Sequence, residues 1–338
     1  MRTQMARDGQ GAPLLRWMKQ VLGGMALALA ATAASAQAFP SKNIRLLTPY
    51  PPGGSTDTLS RIVGPKLAQV LGVSVTVENM AGANGGIGLQ FLAKAPPDGH
   101  TILITTASPI VINPHTFPNL PYDALKDFTH ISLVATSESA LLVNPKVPAK
   151  NLKELVEVSR TTPIKIGVAG RGGQPELILE KINKDTGAKL IVVPYAGGGP
   201  AITDAVGGHV DGVLNDIAGN VKPMVESGRL RSVAVLTTSA KSVMLPDAQT
   251  LTAQGQPPHL HLRSWLVLLG PANMRPEVSE RLRKAISDIV ADPEVVAALR
   301  QNSLLPYPSR STAEVKEFIE REWQIFKDIQ RETGVKVE

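Results

Sequence analysis

Ile44-Arg45-Leu46-Leu47-Thr48-Pro49-Tyr50-Pro51-Pro52-Gly53-Gly54-Ser55-Thr56-Asp57 is the stretch on which the fold of this chain turns. The run Ile44–Thr48 is short and mostly apolar, as a buried strand requires, and the Pro and Gly residues after it stop it. Downstream, Ile62, Val63, Leu67, Val70 and Leu71 recur at helical spacing, which predicts a helix over about Thr56–Leu71. Ser55 suits its N-cap, with Asp57 in the first turn. Strand, Gly-rich loop and helix start in succession present unpaired N–H groups at the positive end of a helix dipole. That arrangement suits an anion.

The same succession recurs along the chain. A strand over Val73–Glu78 leads to Gly82-Ala83-Asn84-Gly85-Gly86-Ile87-Gly88, which opens a helix through Lys94. Lys165–Ala169 leads to Gly170-Arg171-Gly172-Gly173 and a helix from Pro175, a residue suited to a first helical turn. Leu190–Tyr195 leads to Gly197-Gly198-Gly199-Pro200 and a helix to Val206. Further strands are expected at Thr101–Thr106, Phe128–Ala135, Leu141–Asn144, Val210–Leu214, Arg231–Thr237 and Arg263–Leu269. Helices are expected at Leu152–Ser159, Ala218–Glu226, Glu277–Val290 and Thr312–Arg331. This alternation defines an α/β class, in which ligands sit at the carboxyl ends of the strands. One Gly-rich loop says little, since such loops are common in α/β proteins; four of them argue for an anion site.

At 338 residues the chain has room for two domains or one large α/β unit. With 43% hydrophobic and 19% charged residues it has the composition of a folded protein. Cysteine is absent, which removes disulfides, thiolate metal sites and cysteine nucleophiles. Half of the formal charge of +6 comes from the first 36 residues, where Arg2, Arg7, Arg16 and Lys19 face only Asp8. With no long basic run, nucleic acid is not an expected partner.

The N-terminus reads as an export signal. Arg16 and Lys19 precede the apolar stretch Val21–Ala34, and Ala34-Ser35-Ala36 forms an A-x-A cleavage site after Ala36. The stretch is too short to span a bilayer comfortably.

Catalytic signatures are few. No nucleophile elbow, phosphate-binding P-loop or H-E-x-x-H metal motif occurs. Gly170-Arg171-Gly172-Gly173-Gln174-Pro175 begins like a dinucleotide fingerprint but carries Pro where the third Gly belongs. His259 and His261 could share one strand face around a metal, or sit in a solvated loop; no third ligand lies near them. Asp204, Asp211 and Asp216 are explained by ordinary helix-start and surface roles. The expectation is no cofactor, no metal and no enzyme.

The loops also carry a resemblance. Phe39-Pro40-Ser41-Lys42, the Pro49–Asp57 loop, Val77-Glu78-Asn79, Ala93-Lys94-Ala95-Pro96-Pro97-Asp98-Gly99 and Leu120-Pro121-Tyr122-Asp123 open it. Val193-Pro194-Tyr195, Gly207-Gly208-His209-Val210, Leu245-Pro246-Asp247 and Ser264-Trp265 continue it. On these residues the chain resembles the Bug family, the periplasmic substrate-binding proteins of tripartite tricarboxylate transporters. The resemblance implies a periplasmic binding protein of the Venus-flytrap, type II-like form: two doubly wound α/β domains with a ligand cleft between them. Residues 37–138 and 262–338 would form domain I, and 139–261 domain II. The ligand would be a small carboxylate: a dicarboxylate, tricarboxylate, amino acid or aromatic acid. The partners would be the large and small membrane subunits of the transporter, or a sensor kinase in a signalling variant, with the receptor itself a monomer.

The resemblance also implies site residues. Tyr50, Gly53, Gly54, Ser55, Thr56 and Asp57 would form the first clamp. Tyr50 would pack on the ligand or simply within its loop, while Asp57 would organise loop amides. Ser108 follows the third strand toward the same cleft. The second clamp would be Gly170, Arg171, Gly172 and Gly173, and it departs from the family pattern: a Ser is missing, Glu176 replaces a His, and Arg171 is added. Arg171 would reach a second carboxylate or remain solvated. Tyr195, Asn215 and Asp216 would complete the site, and Trp265 would line the hinge, the pocket or the core.

Overall fold

The computed structural model describes residues 39–217, 221–237, 239–256 and 264–337. Contacts divide the chain into Met1–Ser41 and Lys42–Glu338, and every element below belongs to the second unit. The export signal, the His259/His261 pair and the first residues of the expected Ala218–Glu226 helix lie outside the described residues.

Eleven strands and ten α-helices are described. The first sheet holds β1 (Ile44–Thr48), β2 (Val75–Asn79), β3 (Thr101–Thr106), β4 (Phe128–Ser137), β10 (Ser264–Pro271) and β11 (Leu305–Pro306), in the order β11-β4-β10-β3-β1-β2. The second holds β5 (Ser139–Val143), β6 (Ile164–Ala169), β7 (Leu190–Tyr195), β8 (Gly212–Asp216) and β9 (Arg231–Leu236), in the order β7-β6-β8-β5-β9. Both are mixed. β1 runs parallel to β2 and β3, whereas β10 runs antiparallel to β3 and β4. β6 runs parallel to β7 and β8, whereas β5 runs antiparallel to β8 and β9. The chain passes from one sheet to the other at Glu138, between β4 and β5, and returns between β9 and β10.

The helices are α1 (Ser55–Leu71), α2 (Gly86–Ala93), α3 (Asn113–Thr116), α4 (Leu152–Thr161), α5 (Gln174–Thr186), α6 (Gly198–Gly207), α7 (Val221–Glu226), α8 (Pro276–Ala291), α9 (Pro293–Gln301) and α10 (Thr312–Thr333). Burial of α1 follows Leu59, Val63, Leu67 and Leu71, a strict four-residue stripe, while Val70 is 52% exposed and leaves the expected face. Gly64 lets that stripe approach closely, since a Cβ there would lie 3.3 Å from Val77 Cγ2 on β2. The N-cap is Gly54 rather than Ser55, which is the first helical residue. The fully buried cores of β1 and β3 lie beneath this layer.

Sequence reading missed α3, α9, β11 and the π-helical turn Ser108–Ile112 that precedes α3. At α9 the signal was present: Asp292 accepts from the Glu294 and Val295 N–H groups, and Pro293 occupies the first turn.

Candidate ligand-binding site

Three strands are followed by a loop whose last glycine is a helix N-cap: Gly54 after β1, Gly173 after β6 and Gly197 after β7. None of these caps supplies a side-chain acceptor. The first amides of α1, α5 and α6 therefore present donors and a positive dipole end at the carboxyl edges of the two sheets.

Two acids hold the loops in shape. Asp57 Oδ2 accepts from the Gly53 N–H at 3.0 Å and from Arg61 Nε at 3.0 Å, while Asn79 Nδ2 donates to Asp57 Oδ1 at 3.0 Å. Burial pushes the Asp57 carboxyl up, but these hydrogen bonds outweigh it and hold it below the ordinary aspartate value. Asn79 Nδ2 also donates to the Tyr50 carbonyl at 3.0 Å, tying β2 to the loop. In the second clamp, Glu176 Oε2 accepts from the Gly172 N–H at 2.6 Å. Gly53 (φ +88°), Gly170 (φ +77°) and Gly172 (φ +67°) occupy left-handed conformations that a side chain would strain.

The loops from the two sheets meet. Thr116 Oγ1 donates to the Gly172 carbonyl at 3.1 Å. Asn84 lies so close to Gly170 and Gly173 that a Cβ on either would approach its amide to 2.9 and 3.3 Å. Asn84 is itself fixed, donating to Asn113 Oδ1 at 2.9 Å and receiving Asn113 Nδ2 on its carbonyl at 3.2 Å. Buried Ser108 faces the same loop, 3.6 Å from where a Gly173 Cβ would stand. Gln174, the first residue of α5, is 7% exposed, and its amide Nε2 is buried with no hydrogen-bond partner among the described residues.

Tyr50 links these groups. Its hydroxyl shares a 3.0 Å hydrogen bond with Thr106 Oγ1 at the end of β3 and lies beside Gly85. Burial pushes the phenol up to about 12, so it stays a neutral donor and acceptor. The charge of Asp216 also bears on it. Asp216, at the end of β8, accepts from Ser139 Oγ at 2.8 Å, and the nearby hydroxyls of Ser264 and Ser55 also act on its carboxyl. Burial raises its carboxyl above the ordinary value against those hydrogen bonds. The Ser55 end of the first loop and the β8 end of the second sheet thus meet at one carboxylate.

Thr56 is buried in the first turn of α1, while Gly53 and Gly54 are exposed. Arg171 is exposed. Tyr195 donates to Asp204 Oδ2 at 2.7 Å; burial and then that carboxylate push its phenol up to about 12. Asn215 donates to the Asp216 carbonyl at 3.1 Å and packs against Gly198, where a Cβ would collide with it. Trp265 is 1% exposed, stacks edge-on against Phe318 and donates to Glu322 Oε2 at 3.0 Å, a core position. Sequence reasoning did not single out Asn84, Thr116, Ser139, Gln174 and Ser264, which the fold brings to these loops and strand ends, because ordinary polar side chains carry no local signature. No group of three or more potential metal ligands occurs among the described residues, and none of their helices is long and apolar enough to cross a membrane.

Two mixed α/β sheets whose helix-start loops face one another are the architecture of a periplasmic solute-binding protein. Residues 59–335 match the model of the tripartite tricarboxylate transporter family receptor, and the chain belongs to that family. It is 32% identical over 319 residues to the protein BugT of Bordetella pertussis, covering 93% of this chain and 97% of the relative. A solved periplasmic transporter structure superposes with a TM-score of 0.82 at 34% identity, covering 89% of this chain and all of that one. MatC from Rhodopseudomonas palustris, solved with bound malate, superposes with a TM-score of 0.78 at 27% identity, covering 86% and 99% of the two chains. The family is one of solute receptors, not enzymes.

Proposed function

We propose that this protein is exported by its N-terminal signal, cleaved after Ala36, and captures a small carboxylate between its two sheets for a tripartite tricarboxylate-type membrane transporter. The observation that carries the reading is the set of Gly-initiated helices α1, α5 and α6, which have no side-chain cap and present amide donors after strands of both sheets. The unpartnered Nε2 of Gln174 adds a buried donor at the start of α5. MatC, a relative at 27% identity, was solved with a small carboxylate, malate, and supports that ligand class. Residues 37–138 with 262–338 would form one jaw and 139–261 the other, with Glu138 at one crossing. Ligand that touches both jaws binds the closed form better, and only that difference in affinity drives closure. The closed jaws would then present a surface to the large and small membrane subunits; a sensor kinase is the alternative recipient.

Thermal unfolding of the purified protein, refolded to strip carried-over ligand, tests the proposal against malate, succinate, adipate, citrate, glutamate and benzoate, with NAD as a control. A ligand at a hundred times its dissociation constant stabilises by about 2.7 kcal/mol, a midpoint rise of a few degrees. The ligand should be recovered unchanged. Silence from every carboxylate with a clear response to NAD would overturn the reading.

A further inference from the structure

Asp216 is out of keeping with a site built from anion-seeking amides. It stands at the end of β8, paired in register with Ser139 on β5, and is surrounded by three hydroxyls, those of Ser139, Ser264 and Ser55. Two of these come from the opposite sheet or its first loop, so the carboxylate sits where both sheets meet rather than on an outer face. Among the described residues none of the groups acting on it is a Lys, Arg or His; its partners are neutral. Asp57 and Glu176, the other two acids of the clamps, are each engaged with a loop N–H, and Asp57 also has Arg61 as its cation. Asp216 differs from both: among the described residues its carboxylate has neither a loop N–H nor a cation as partner.

A half-buried carboxylate with no cationic partner among the described residues is stabilised when a cation arrives and opposed when another anion does. An unsubstituted dicarboxylate entering the cleft adds two negative charges beside Asp216. A ligand with an ammonium group brings the missing positive charge, while its carboxylate still meets the helix N-termini. Resting on the receptor reading above, we propose that Asp216 is an ammonium subsite and that the ligand is an amino acid rather than a simple carboxylic acid. Ser139 and Ser264 then orient the Asp216 oxygens, and the ligand nitrogen lies between Asp216 and the mouth of the first loop.

Matched pairs that differ only in the amino group test this on the full-length protein: L-aspartate with succinate, L-glutamate with glutarate, and L-phenylalanine with 3-phenylpropionate. Calorimetry on the wild type should show at least one amino member binding ten-fold or more tightly than its partner. Asp216→Asn, which keeps the shape and loses the charge, should narrow that ratio to about three-fold or less, with its ligand-free melting curve verifying that it folds. The wild-type comparison stands without the variant. Tighter binding of the unsubstituted acids, or a preference that Asp216→Asn leaves intact, would overturn the ammonium subsite and leave the carboxylate receptor standing. Absence of binding by all six probes would overturn the ammonium subsite, while the receptor reading is decided by the wider carboxylate panel above.

Discussion

Glu176 stands to Gly172 as Asp57 stands to Gly53: in each loop a carboxylate four residues on accepts the hydrogen bond of a left-handed glycine, at 2.6 and 3.0 Å. The two sheets have thus reached the same device from different sequences. Each acid is buried and occupies the first turn of a helix, where the dipole favours negative charge. Glu176 therefore holds its loop as Asp57 holds the first.

Glu176→Ala should leave the buried Gly172 N–H without an acceptor and destabilise the protein by about 1–3 kcal/mol. Glu176→Gln retains an oxygen acceptor and should lose distinctly less. Chemical denaturation of the two variants beside the wild type checks the order. Equal losses would mean that the hydrogen bond to Gly172 does not hold the loop.

Glu138 is fully buried at the crossing between the sheets. It accepts from Ser242 Oγ at 2.6 Å and from the Val243 and Met244 N–H groups at 3.2 Å, pinning the segment after β9 to the end of β4. Glu138→Ala orphans these donors together and should destabilise by about 3 kcal/mol. It should also speed hydrogen exchange of the Val243 and Met244 amides. Unchanged exchange there would show that Glu138 is not the anchor of this crossing.

His130 on β4 gives the stability a pH dependence with a defined sign. Burial pushes its imidazole down from 6.5 to about 4, so the unfolded chain takes up the proton first. The contribution is fully present above pH 6.5 and is lost as pH falls through the window from 6.5 to about 4, amounting to about 3 kcal/mol. His115, also lowered by burial, acts in the same direction. Denaturation at pH 7 and pH 4.5 should show a smaller loss in His130→Gln than in the wild type. Identical losses in the two proteins would remove His130 as the source.

The sequence by itself determined the α/β alternation, the four Gly-rich helix starts and the family. These rest on local periodicity, on residues that terminate strands, and on glycines whose backbone conformations no other residue adopts cheaply. Its errors were local too. Ser55 looked like an N-cap because the residue type favours one, but Gly54 takes the extended cap conformation and frees the Ser55 hydroxyl for Asp216. Val70 shared the apolar pattern of α1, yet the close approach at Gly64 aligned burial on Leu59, Val63, Leu67 and Leu71 instead.

Only the tertiary structure decided which side chains meet. Asp216 and Ser55 are far apart in sequence and belong to different sheets, β8 in the second and the loop after β1 in the first, yet the fold brings them together. Thr116 finds the Gly172 carbonyl across the two sheets, and Trp265, polar-tipped and adjacent to Ser264, turns into the core where Glu322 receives its N–H. Secondary structure is written in nearest-neighbour spacing, which a sequence displays directly. A binding site is written in the pairing of strand ends, which exists only once the sheets have formed.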